Sequence, residues 1–245
     1  MKVNAIIQAR CGSTRLPGKI FMEINGKPLL WHVVNRLKYT ELIDDIIVAT
    51  TTDSKDDATE EWCNKNEIKC YRGSEDNVLN RFYMASVAFP CDVIVRVTAD
   101  DPFKEPSIVD RIIKKLIDEN LDIACNVFPP SFPEGLDCEV LKFNVLETME
   151  KTTNDPYDRE HVTPYIYNHP EKFKIGNLTS SRQLSNYRWT IDNEEDYEMV
   201  NAIYEKRKNQ QEEILLMEEI LEILEENPEI ASINSDVKRS AMYQK

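Results

Sequence analysis

The sequence contains neither a cysteine motif nor a long apolar segment. Its six cysteines are scattered along 245 residues, with no Cys-x-x-Cys pair and no cysteine–histidine grouping of metal-site spacing. This excludes the usual zinc sites and predicts reduced thiols in a cytoplasmic protein. No apolar run approaches the roughly 18 residues that span a bilayer, and the amino terminus lacks the pattern of a secretory signal. We therefore expect a soluble protein without membrane insertion.

Positive charge is also in deficit. Lys and Arg number 30 against 44 Asp and Glu, which gives a formal net charge of −14. Nucleic acids and anionic membranes are bound by surfaces on which positive charge dominates. The composition therefore argues against nucleic acid as a partner, and it makes any local cluster of cations conspicuous.

Short β-branched runs alternate with longer segments of helical periodicity. The predicted strands are KVNAIIQ, DDIIVAT, IKCYR, DVIVRVT, LDIACNV, DCEVLKF, KFKIGNL and YRWTI. The predicted helices lie near residues 28–38, 55–66, 77–88, 107–119, 143–151, 158–168 and 194–207. This alternation is typical of an α/β fold with a mostly parallel sheet covered by helices. Since the chain has no repeat, low-complexity tract or flexible linker, residues 1–245 are predicted to form one domain.

The segment EEILLMEEILEILEEN near the carboxyl end has an apolar stripe. The stripe includes Ile214, Met217, Leu221 and Leu224. It predicts a helix that packs either on the domain itself or on a second subunit. We expect a homodimer on this basis, although a role in the core of one chain leaves the same pattern.

The segment NAIIQARCGSTRLPGK, residues 4–19, places a cation-rich loop directly after the first predicted strand. Open α/β sheets bind ligands beyond the carboxyl ends of their strands. Gly12 and Gly18 allow a close approach of the backbone, and Arg10, Arg15 and Lys19 add positive charge. The loop is therefore predicted to bind a polyphosphate, with a solvated surface turn as the alternative.

Two common phosphate-binding motifs are missing from this loop. The Walker A motif has four residues between its glycines and a hydroxyl residue after its lysine. Here five residues separate Gly12 from Gly18, and Ile20 follows Lys19. The pattern G-x-G-x-x-G is absent as well, so the loop belongs to neither class.

The stretch IIQARCGSTRLPGK resembles the signature loop of the spore-coat polysaccharide biosynthesis branch of the cytidylyltransferases, relatives of the CMP-KDO and CMP-acylneuraminate synthetases. Further stretches are similar to family motifs in the same order: IVATTTD, RGSEDNVLNRFY, VIVRVTADDPF, REHVTPYIY and RWTIDNEEDYEMV. The resemblance extends over nearly the whole chain. It implies a single Rossmann-like, glycosyltransferase-A-type nucleotidyltransferase domain, with a mixed sheet and helices on both faces. Residues 1–120 would bind the nucleotide, and residues 121–245 the acceptor.

The resemblance also implies a reaction. CMP would be transferred from CTP to a sugar, a sugar acid or a small phosphorylated acceptor, with Mg²⁺ as cofactor and release of pyrophosphate, for the synthesis of a surface polysaccharide or glycan. A nucleotide-sugar glycosyltransferase of the same fold and a nucleotidyltransferase that uses another nucleoside triphosphate are the alternatives. The preference for cytosine rests on the resemblance alone.

The same resemblance implies a set of nucleotide-binding residues. They are Gln8, Ala9, Arg10, Gly12, Ser13, Thr14, Arg15, Lys19, Thr51, Asp53, Arg72, Gly73, Ser74, Asp76, Arg81 and Thr98. Three of them, Arg10, Arg15 and Lys19, are predicted to be catalytic together with Asp100. They would hold the triphosphate and offset the charge that develops at its α-phosphate.

Two carboxylates, Asp100 and Asp101, follow the predicted strand DVIVRVT. Beside a loop that binds phosphate they would repel the substrate, unless a Mg²⁺ ion came between them. The resemblance points to Asp100 as one metal ligand and to Asp192, at the end of YRWTI, as the second. Capping of a following helix is the competing role for each of the two.

The acceptor is expected to contact the second half of the chain. The residues so implied are Glu134, Asp137, Glu139, Arg159, Glu160, His161 and Arg188. A phosphate acceptor would need cations here, and an acidic sugar would need a clamp for its carboxylate. Arg159, Arg182 and Arg188 suit either purpose, so the sequence leaves the acceptor open.

Overall fold

The strands of the structure lie in one large sheet and one short hairpin. The computed structural model describes residues 1–207, 214–239 and 243. The strands in this part of the chain are β1 (Val3–Gln8), β2 (Glu23–Ile24), β3 (Lys27–Pro28), β4 (Asp45–Thr51), β5 (Lys69–Gly73), β6 (Val93–Thr98), β7 (Ile123–Cys125), β8 (Glu139–Lys142) and β9 (Ile175–Asn177). β2 and β3 pair as the hairpin, which is absent from the sequence-based prediction.

Helices connect most of the strands. They are α1 (Leu29–Leu37), α2 (Asp57–Lys65), α3 (Val78–Ala88), α4 (Pro106–Asp118), α5 (Phe143–Thr152), α6 (Pro156–His161), α7 (Pro164–Asn168), α8 (Glu194–Glu205), α9 (Met217–Glu226) and α10 (Pro228–Ser232). Short 3-10 helices cover Lys19–Phe21 and Ser54–Asp56. In the described part of the chain, no helix combines the length and the apolar character that a membrane span requires.

The large sheet has the strand order β5-β4-β1-β6-β8-β7-β9. All of its pairs are parallel except those of β8, which is antiparallel to both β6 and β7. The last residue of β1, Gln8, stands opposite Ala49 of β4 and Thr98 of β6. The carboxyl ends of these three strands therefore meet at one edge, and the predicted mostly parallel mixed sheet is confirmed.

Side chains of β1 alternate between two apolar cores. Ala5 and Ile7 belong to the core that α1, α4 and α8 cover, whereas Ile6 belongs to the core under α3 and α5. Helix α4 shows how such packing arises, because its buried residues recur every three or four positions and form one apolar face. The prediction of helices on both faces of the sheet is thus confirmed.

Two predicted elements differ in the structure. The segment YRWTI is not a strand: its amides bond to loops, with Trp189 donating to the Glu134 carbonyl and Ile191 to the Asp100 carbonyl. The helix predicted over residues 158–168 is interrupted at Val162, which has a φ of +73°. Pro164 then begins α7, since proline suits the first turn of a helix.

The carboxyl-terminal stripe is largely buried within the chain. Helix α9 buries Ile220, Leu221, Ile223 and Leu224 in the same core as α1 and α8. Ile214 lies before the helix, and the first two residues of the predicted segment, 212 and 213, are outside the described residues. Packing on the domain therefore accounts for the stripe, and the homodimer stays a prediction.

Candidate active site

Hydrogen bonds between its own backbone groups close the loop after β1, and Lys19 follows this closed turn. The Cys11 carbonyl accepts hydrogen bonds from the amides of Ser13 (2.9 Å) and Gly18 (3.0 Å). Gly18 has a φ of +72°, in the left-handed region that glycine adopts without strain. The turn that follows places Lys19 at the start of a 3-10 helix, with only 11 % of its side chain exposed.

A buried carboxylate anchors this loop to β4. Asp56 is 2 % exposed and accepts from the Cys11 amide (2.7 Å) and from the Thr51 hydroxyl. Arg72 extends the anchor, because its guanidinium donates to the carbonyls of Thr51 and Asp53 at 2.9 Å each. The role of Asp56 was not predicted from the sequence, because the stretch SKDDATE that contains it has the composition of an ordinary helix start.

Lys19 brings together the two carboxylates that the sequence predicted as metal ligands. Its Nζ lies 2.9 Å from Asp100 Oδ2 and 3.0 Å from Asp192 Oδ1, and it also donates to the Ile191 carbonyl at 2.8 Å. Arg15 reaches the same site, with Nη2 2.9 Å from Asp192 Oδ1. These residues thus share one site although they come from distant parts of the chain.

The charges at this site stabilise one another. Burial would lower the pKa of Lys19, but Asp100 and Asp192 outweigh it and raise the pKa above its ordinary value. Burial would likewise raise the pKa of Asp100, but Lys19 and the Thr98 hydroxyl lower it to about 2. The ammonium and the carboxylate are therefore both charged at neutral pH.

Asp192 is held in place by a buried network. The Arg188 guanidinium lies 3.0 Å from Asp192 Oδ2, 2.8 Å from Asp196 Oδ2 and 2.9 Å from Glu134 Oε1. Asp196 is fully buried, and it also accepts from the Asp192 amide at 2.9 Å. The Arg188 side chain is only 4 % exposed, and its guanidinium orients Asp192. It lines a separate cavity beside Trp189.

Asp101 lies next to Asp100 but has a different partner. Its Oδ2 accepts from Lys104 Nζ at 2.8 Å and from the Thr98 hydroxyl at 2.9 Å. Lys104 is 1 % exposed and also donates to the carbonyls of Gly135 and Asp137. Burial raises the pKa of Asp101 despite this lysine. Neither Lys104 nor its buried pairing was predicted from the sequence.

Three cavities adjoin one another around these residues. The loop cavity, of about 230 Å³, is lined by Gln8, Ala9, Arg10, Ser13, Thr14, Arg15, Lys19, Ile20, Thr98, Ala99, Asp100 and Asp192. The carboxylate cavity, of about 210 Å³, is lined by Arg96, Thr98, Asp100, Asp101, Val127, Glu134, Asp137, Cys138, Glu139, Thr190 and Asp192. The α6 cavity, of about 680 Å³, includes Gln8, Ala9, Arg10, Asp76, Arg81, Arg159, Glu160 and His161. Shared lining residues join the loop cavity to each of the others.

Most of the predicted nucleotide-binding residues line the loop cavity or the α6 cavity. Several others lie behind the residues that line these cavities. Thr51, Asp53 and Arg72 form the anchor described above and line none of the three cavities. Gly73 has no room for a side chain, because an added Cβ would lie 2.9 Å from Tyr71. The Ser74 carbonyl accepts from Arg81 Nη1 at 2.6 Å, which fixes the guanidinium beside the α6 cavity.

Gly12 lies close to the segment that precedes α3. A Cβ at this position would lie 3.3 Å from the Glu75 carboxylate, and Glu75 in turn pairs with Arg10 at 3.4 Å. Because Glu75 is exposed and its side chain can move, this contact does not by itself require glycine, and Gly12 lines neither the loop cavity nor the α6 cavity.

The predicted acceptor residues do not form one cluster. Glu134, Asp137 and Glu139 line the carboxylate cavity. In contrast, Arg159, Glu160 and His161 belong to α6 and line the α6 cavity, on the side of Arg10 and Arg81. The Arg159 guanidinium is engaged by Glu150 and by the Thr153 carbonyl.

The residues present suit a magnesium ion that arrives with phosphate. Within residues 1–207, 214–239 and 243, no group of three or more His, Cys, Asp or Glu is placed to hold a metal alone. Asp100 and Asp192 nevertheless provide two hard carboxylate ligands at the border of the loop cavity. Since Mg²⁺ is usually bound by one or two carboxylates together with substrate phosphates, this donor set fits the ion.

Comparison with known proteins identifies the family of this chain. A family model described as cytidylyltransferase matches residues 4–235. An uncharacterized protein of Methanocaldococcus jannaschii is 38% identical over 243 residues, which cover 98% of each chain. The spore coat polysaccharide biosynthesis protein SpsF of Bacillus subtilis is 35% identical over 235 residues, 93% of this chain and 95% of the relative.

A solved structure is similar over almost the whole fold. The cytidylyltransferase from Leptospira borgpetersenii superposes with a TM-score of 0.89 at 33% identity, and the alignment covers 98% of this chain and 99% of that one. The resemblance inferred from the motifs is thereby confirmed. The chain belongs to the cytidylyltransferase family and is a nucleotidyltransferase.

Proposed function

We propose that this cytidylyltransferase uses CTP and Mg²⁺ to transfer CMP to a small sugar-type acceptor, with release of pyrophosphate. The observation that carries the proposal is the convergence of Lys19, Asp100 and Asp192, with Arg15 beside them. Family membership supports CTP as the donor. The relation to a spore coat polysaccharide biosynthesis protein supports a role in making a surface glycan.

The triphosphate would occupy the loop cavity. Arg10, Arg15 and Lys19 line it and supply three positive charges, while Ser13 and Thr14 supply hydroxyl groups. Most of the catalysis then consists of positioning and electrostatic stabilisation, because phosphoryl-type transfer needs no covalent intermediate with the protein. We therefore assign the loop cations to binding and catalysis together.

Asp100 and Asp192 would hold the metal. When bound, Mg²⁺ supplies positive charge that offsets the charge developing on the phosphates. Lys19 keeps Asp100 ionised, and Arg188 and Asp196 fix the orientation of Asp192. The two carboxylates are thus held ionised and oriented, and a bound cation would compete with Lys19 for their oxygens.

The nucleoside would extend into the α6 cavity. Its volume of about 680 Å³ suits a base and a ribose, and it joins the loop cavity at Gln8, Ala9 and Arg10. The α6 cavity is lined by residues from both sides of position 120, because α6 belongs to the second half of the chain. The nucleoside would therefore contact both halves.

The acceptor would occupy the carboxylate cavity, which meets the loop cavity at Thr98, Asp100 and Asp192. An acceptor oxygen forms a bond to the α-phosphorus. The bond from this phosphorus to the oxygen that bridges to the β-phosphorus breaks, and pyrophosphate leaves with the electron pair. The proton of the attacking group passes to water.

The test is direct. The purified protein is incubated with each nucleoside triphosphate, Mg²⁺ and a panel of sugars, sugar acids and sugar phosphates, and pyrophosphate is measured. Calorimetry reports the binding of CTP separately. We expect binding and turnover with CTP. Absence of CTP binding, together with silence across the panel, would refute the proposal. In a parallel incubation that supplies nucleotide sugars instead of triphosphates, turnover would favour the glycosyltransferase alternative.

A further inference from the structure

The segment that follows α10 lies against the network that holds Asp192. It runs from residue 233 to residue 239 without a further helix or strand. Two of its side chains, Asn234 and Arg239, donate hydrogen bonds to carboxylates of that network. Both residues lie beyond the last of the sequence motifs that predicted the site, which ends at Val200. The segment therefore reaches the site through contacts that no motif indicates.

Asn234 is buried against Asp196, with 5 % of the residue exposed. Its side-chain amide donates to Asp196 Oδ1 at 2.9 Å and to the Arg188 carbonyl at 3.0 Å. The same oxygen of Asp196 accepts from Arg188 Nε at 2.9 Å, and the other oxygen accepts from Arg188 Nη2 and from the Asp192 amide. One residue, Asp196, thus links Asn234 to the backbone of Asp192.

The donor from Asn234 completes the hydrogen bonding of Asp196. An ionised carboxylate has about four acceptor positions, and these are occupied by the Arg188 guanidinium, the Asp192 amide and the Asn234 amide. Because Asp196 is fully buried, water cannot replace a donor that is removed. Without Asn234 we expect the carboxylate to turn toward its remaining donors, which include the backbone of Asp192.

Arg239 fixes a second carboxylate of the network, Glu134. Its Nε lies 2.8 Å from Glu134 Oε2, while Arg188 Nη1 lies 2.9 Å from Oε1. The other nitrogens of the Arg239 guanidinium donate to the carbonyls of Ser185 and Tyr187. Because Arg239 shares Glu134 with Arg188, the Arg188 guanidinium can also bind the two aspartates of the network.

We propose that Asn234 and Arg239 are positioning residues for the metal ligand Asp192. They hold two buried carboxylates that orient Arg188, and Arg188 in turn orients the carboxylate that would bind Mg²⁺. The carboxyl-terminal segment is then part of the active site and not only a cover of the core. This inference rests on the proposed function, because it takes Asp192 to be a ligand of the metal.

The first test measures how far Mg²⁺ strengthens the binding of CTP, by calorimetry of the whole protein with and without the metal. Asn234→Leu keeps the net charge and removes the amide donor. We expect it to reduce the Mg²⁺-dependent gain in CTP affinity about tenfold or more, the usual effect of removing a group that orients a metal ligand. Asn227→Leu is the matched control, because it removes an amide bond to the Ile223 carbonyl (2.8 Å) outside the network. It should keep the wild-type gain.

The second test uses Arg239→Met, for which charge and positioning predict opposite results. Loss of a positive charge near Asp192 would by itself strengthen the binding of a cation, whereas a misplaced Asp192 would weaken it. We expect the Mg²⁺-dependent gain to fall about tenfold and to recover in part in Arg239→Lys, whose ammonium can still pair with Glu134. Lys238→Met, an exposed neighbour with the same change of charge, is the control.

Urea unfolding of the same variants separates positioning from a structural role. A residue that only stabilises the fold would lower the free energy of unfolding when replaced and leave the Mg²⁺-dependent gain of the folded protein unchanged. An unchanged or increased gain in both Asn234→Leu and Arg239→Met overturns the inference. If Asn234→Leu does not fold, Asn234→Ala replaces it, because alanine removes the same donor without adding volume.

The wild type in the same experiment tests the proposed function separately. Absence of CTP binding by the wild type refutes the proposed function. CTP binding that does not respond to Mg²⁺ refutes the metal assignment, and the inference falls with it. A wild-type response to Mg²⁺ that both variants retain refutes the inference alone.

Discussion

Lys19 Nζ lies 3.0 Å from Asp192 Oδ1, although 173 residues separate the two along the chain. The same ammonium lies 2.9 Å from Asp100. A cation of the phosphate loop therefore stands between the two carboxylates that we propose as metal ligands. We expect a bound metal to compete with Lys19 for these oxygens, and a triphosphate to relieve the competition by offering the ammonium another partner.

This competition predicts the effect of Lys19→Met on metal binding. Without CTP, the variant should bind Mn²⁺ at least about tenfold more tightly than the wild type, because like charges a few ångströms apart repel strongly even when partly screened. Turnover with CTP should fall, since the triphosphate loses a cation. Electron paramagnetic resonance of free Mn²⁺ measures the affinity. Lys151→Met on the surface is the control, and equal Mn²⁺ affinity in all three proteins would contradict the idea.

Substitutions of the neighbouring residues Asp100 and Asp101 should affect different properties of the protein. Asp100→Asn should lower kcat at least about a hundredfold, because it removes a charge that acts at the reacting phosphate, and it should leave the fold intact. Asp101→Asn should instead destabilise the protein by about 3 kcal/mol, because it leaves Lys104 buried without its carboxylate. Pyrophosphate release and urea unfolding measure the two effects. Near wild-type activity of Asp100→Asn would show that the metal assignment is wrong.

The motifs at strand ends were predictable because their chemistry is local. A β-branched run followed by Gly12, Gly18 and three cations predicts a loop at a strand end that suits phosphate, and the structure places this loop beside the carboxyl end of β1. The same holds for Asp100, which lies two residues beyond the end of the buried strand β6. Such positions depend on neighbours in sequence, and the sheet then collects them at one edge.

The partners of these side chains were not predictable. Arg188 looks the same in sequence whether it faces an acceptor or, as in the structure, is buried between Glu134, Asp192 and Asp196. The segment YRWTI has the composition of a strand, yet loop carbonyls provide its hydrogen bonds. Tertiary contacts override composition in both cases.

The burial of Arg188 leads to a stability prediction. Arg188→Met should reduce the free energy of unfolding by about 3–5 kcal/mol, because buried carboxylates lose their cation. Arg182→Met removes an exposed pair with Glu218 and should change it by less than about 0.5 kcal/mol. Urea denaturation measures both variants. Similar losses in the two would mean that the buried network contributes little.

Buried His32 should make stability depend on pH. Its Nε2 donates to the Ile24 carbonyl (2.7 Å) and its Nδ1 accepts from Tyr204 (3.2 Å), so the neutral ring fits the site. Burial lowers the pKa of His32 from 6.5 to about 4. Between these values the unfolded chain binds a proton that the folded protein does not, so stability falls as the pH is lowered.

The expected contribution of His32 is at most about 1.4 kcal/mol per pH unit within this range. Its contribution is fully present above pH 6.5 and is lost progressively toward pH 4. Urea unfolding at several pH values should give a shallower dependence for His32→Asn than for the wild type. Identical slopes would show that this histidine is not the group responsible.

Gly135 controls the approach of the segment that carries Asp192. Its φ is +105°, and an added Cβ would lie 2.7 Å from the carbonyl carbon of Trp189 and 2.8 Å from the amide nitrogen of Thr190. Gly26 also has a positive φ, +74°, but an added Cβ there meets nothing within 4 Å. Substitutions at the two glycines can therefore be compared to distinguish the cost of backbone strain from the cost of a steric contact.

Gly26→Ala should cost about 1 kcal/mol, the strain of a left-handed residue alone. Gly135→Ala should cost several times as much and also lower kcat, because residues 189 and 190 must move and Asp192 follows them. Thermal unfolding and pyrophosphate release at saturating CTP measure the two effects. If Gly135→Ala matched Gly26→Ala in both, the contact with Trp189 would not be what positions Asp192.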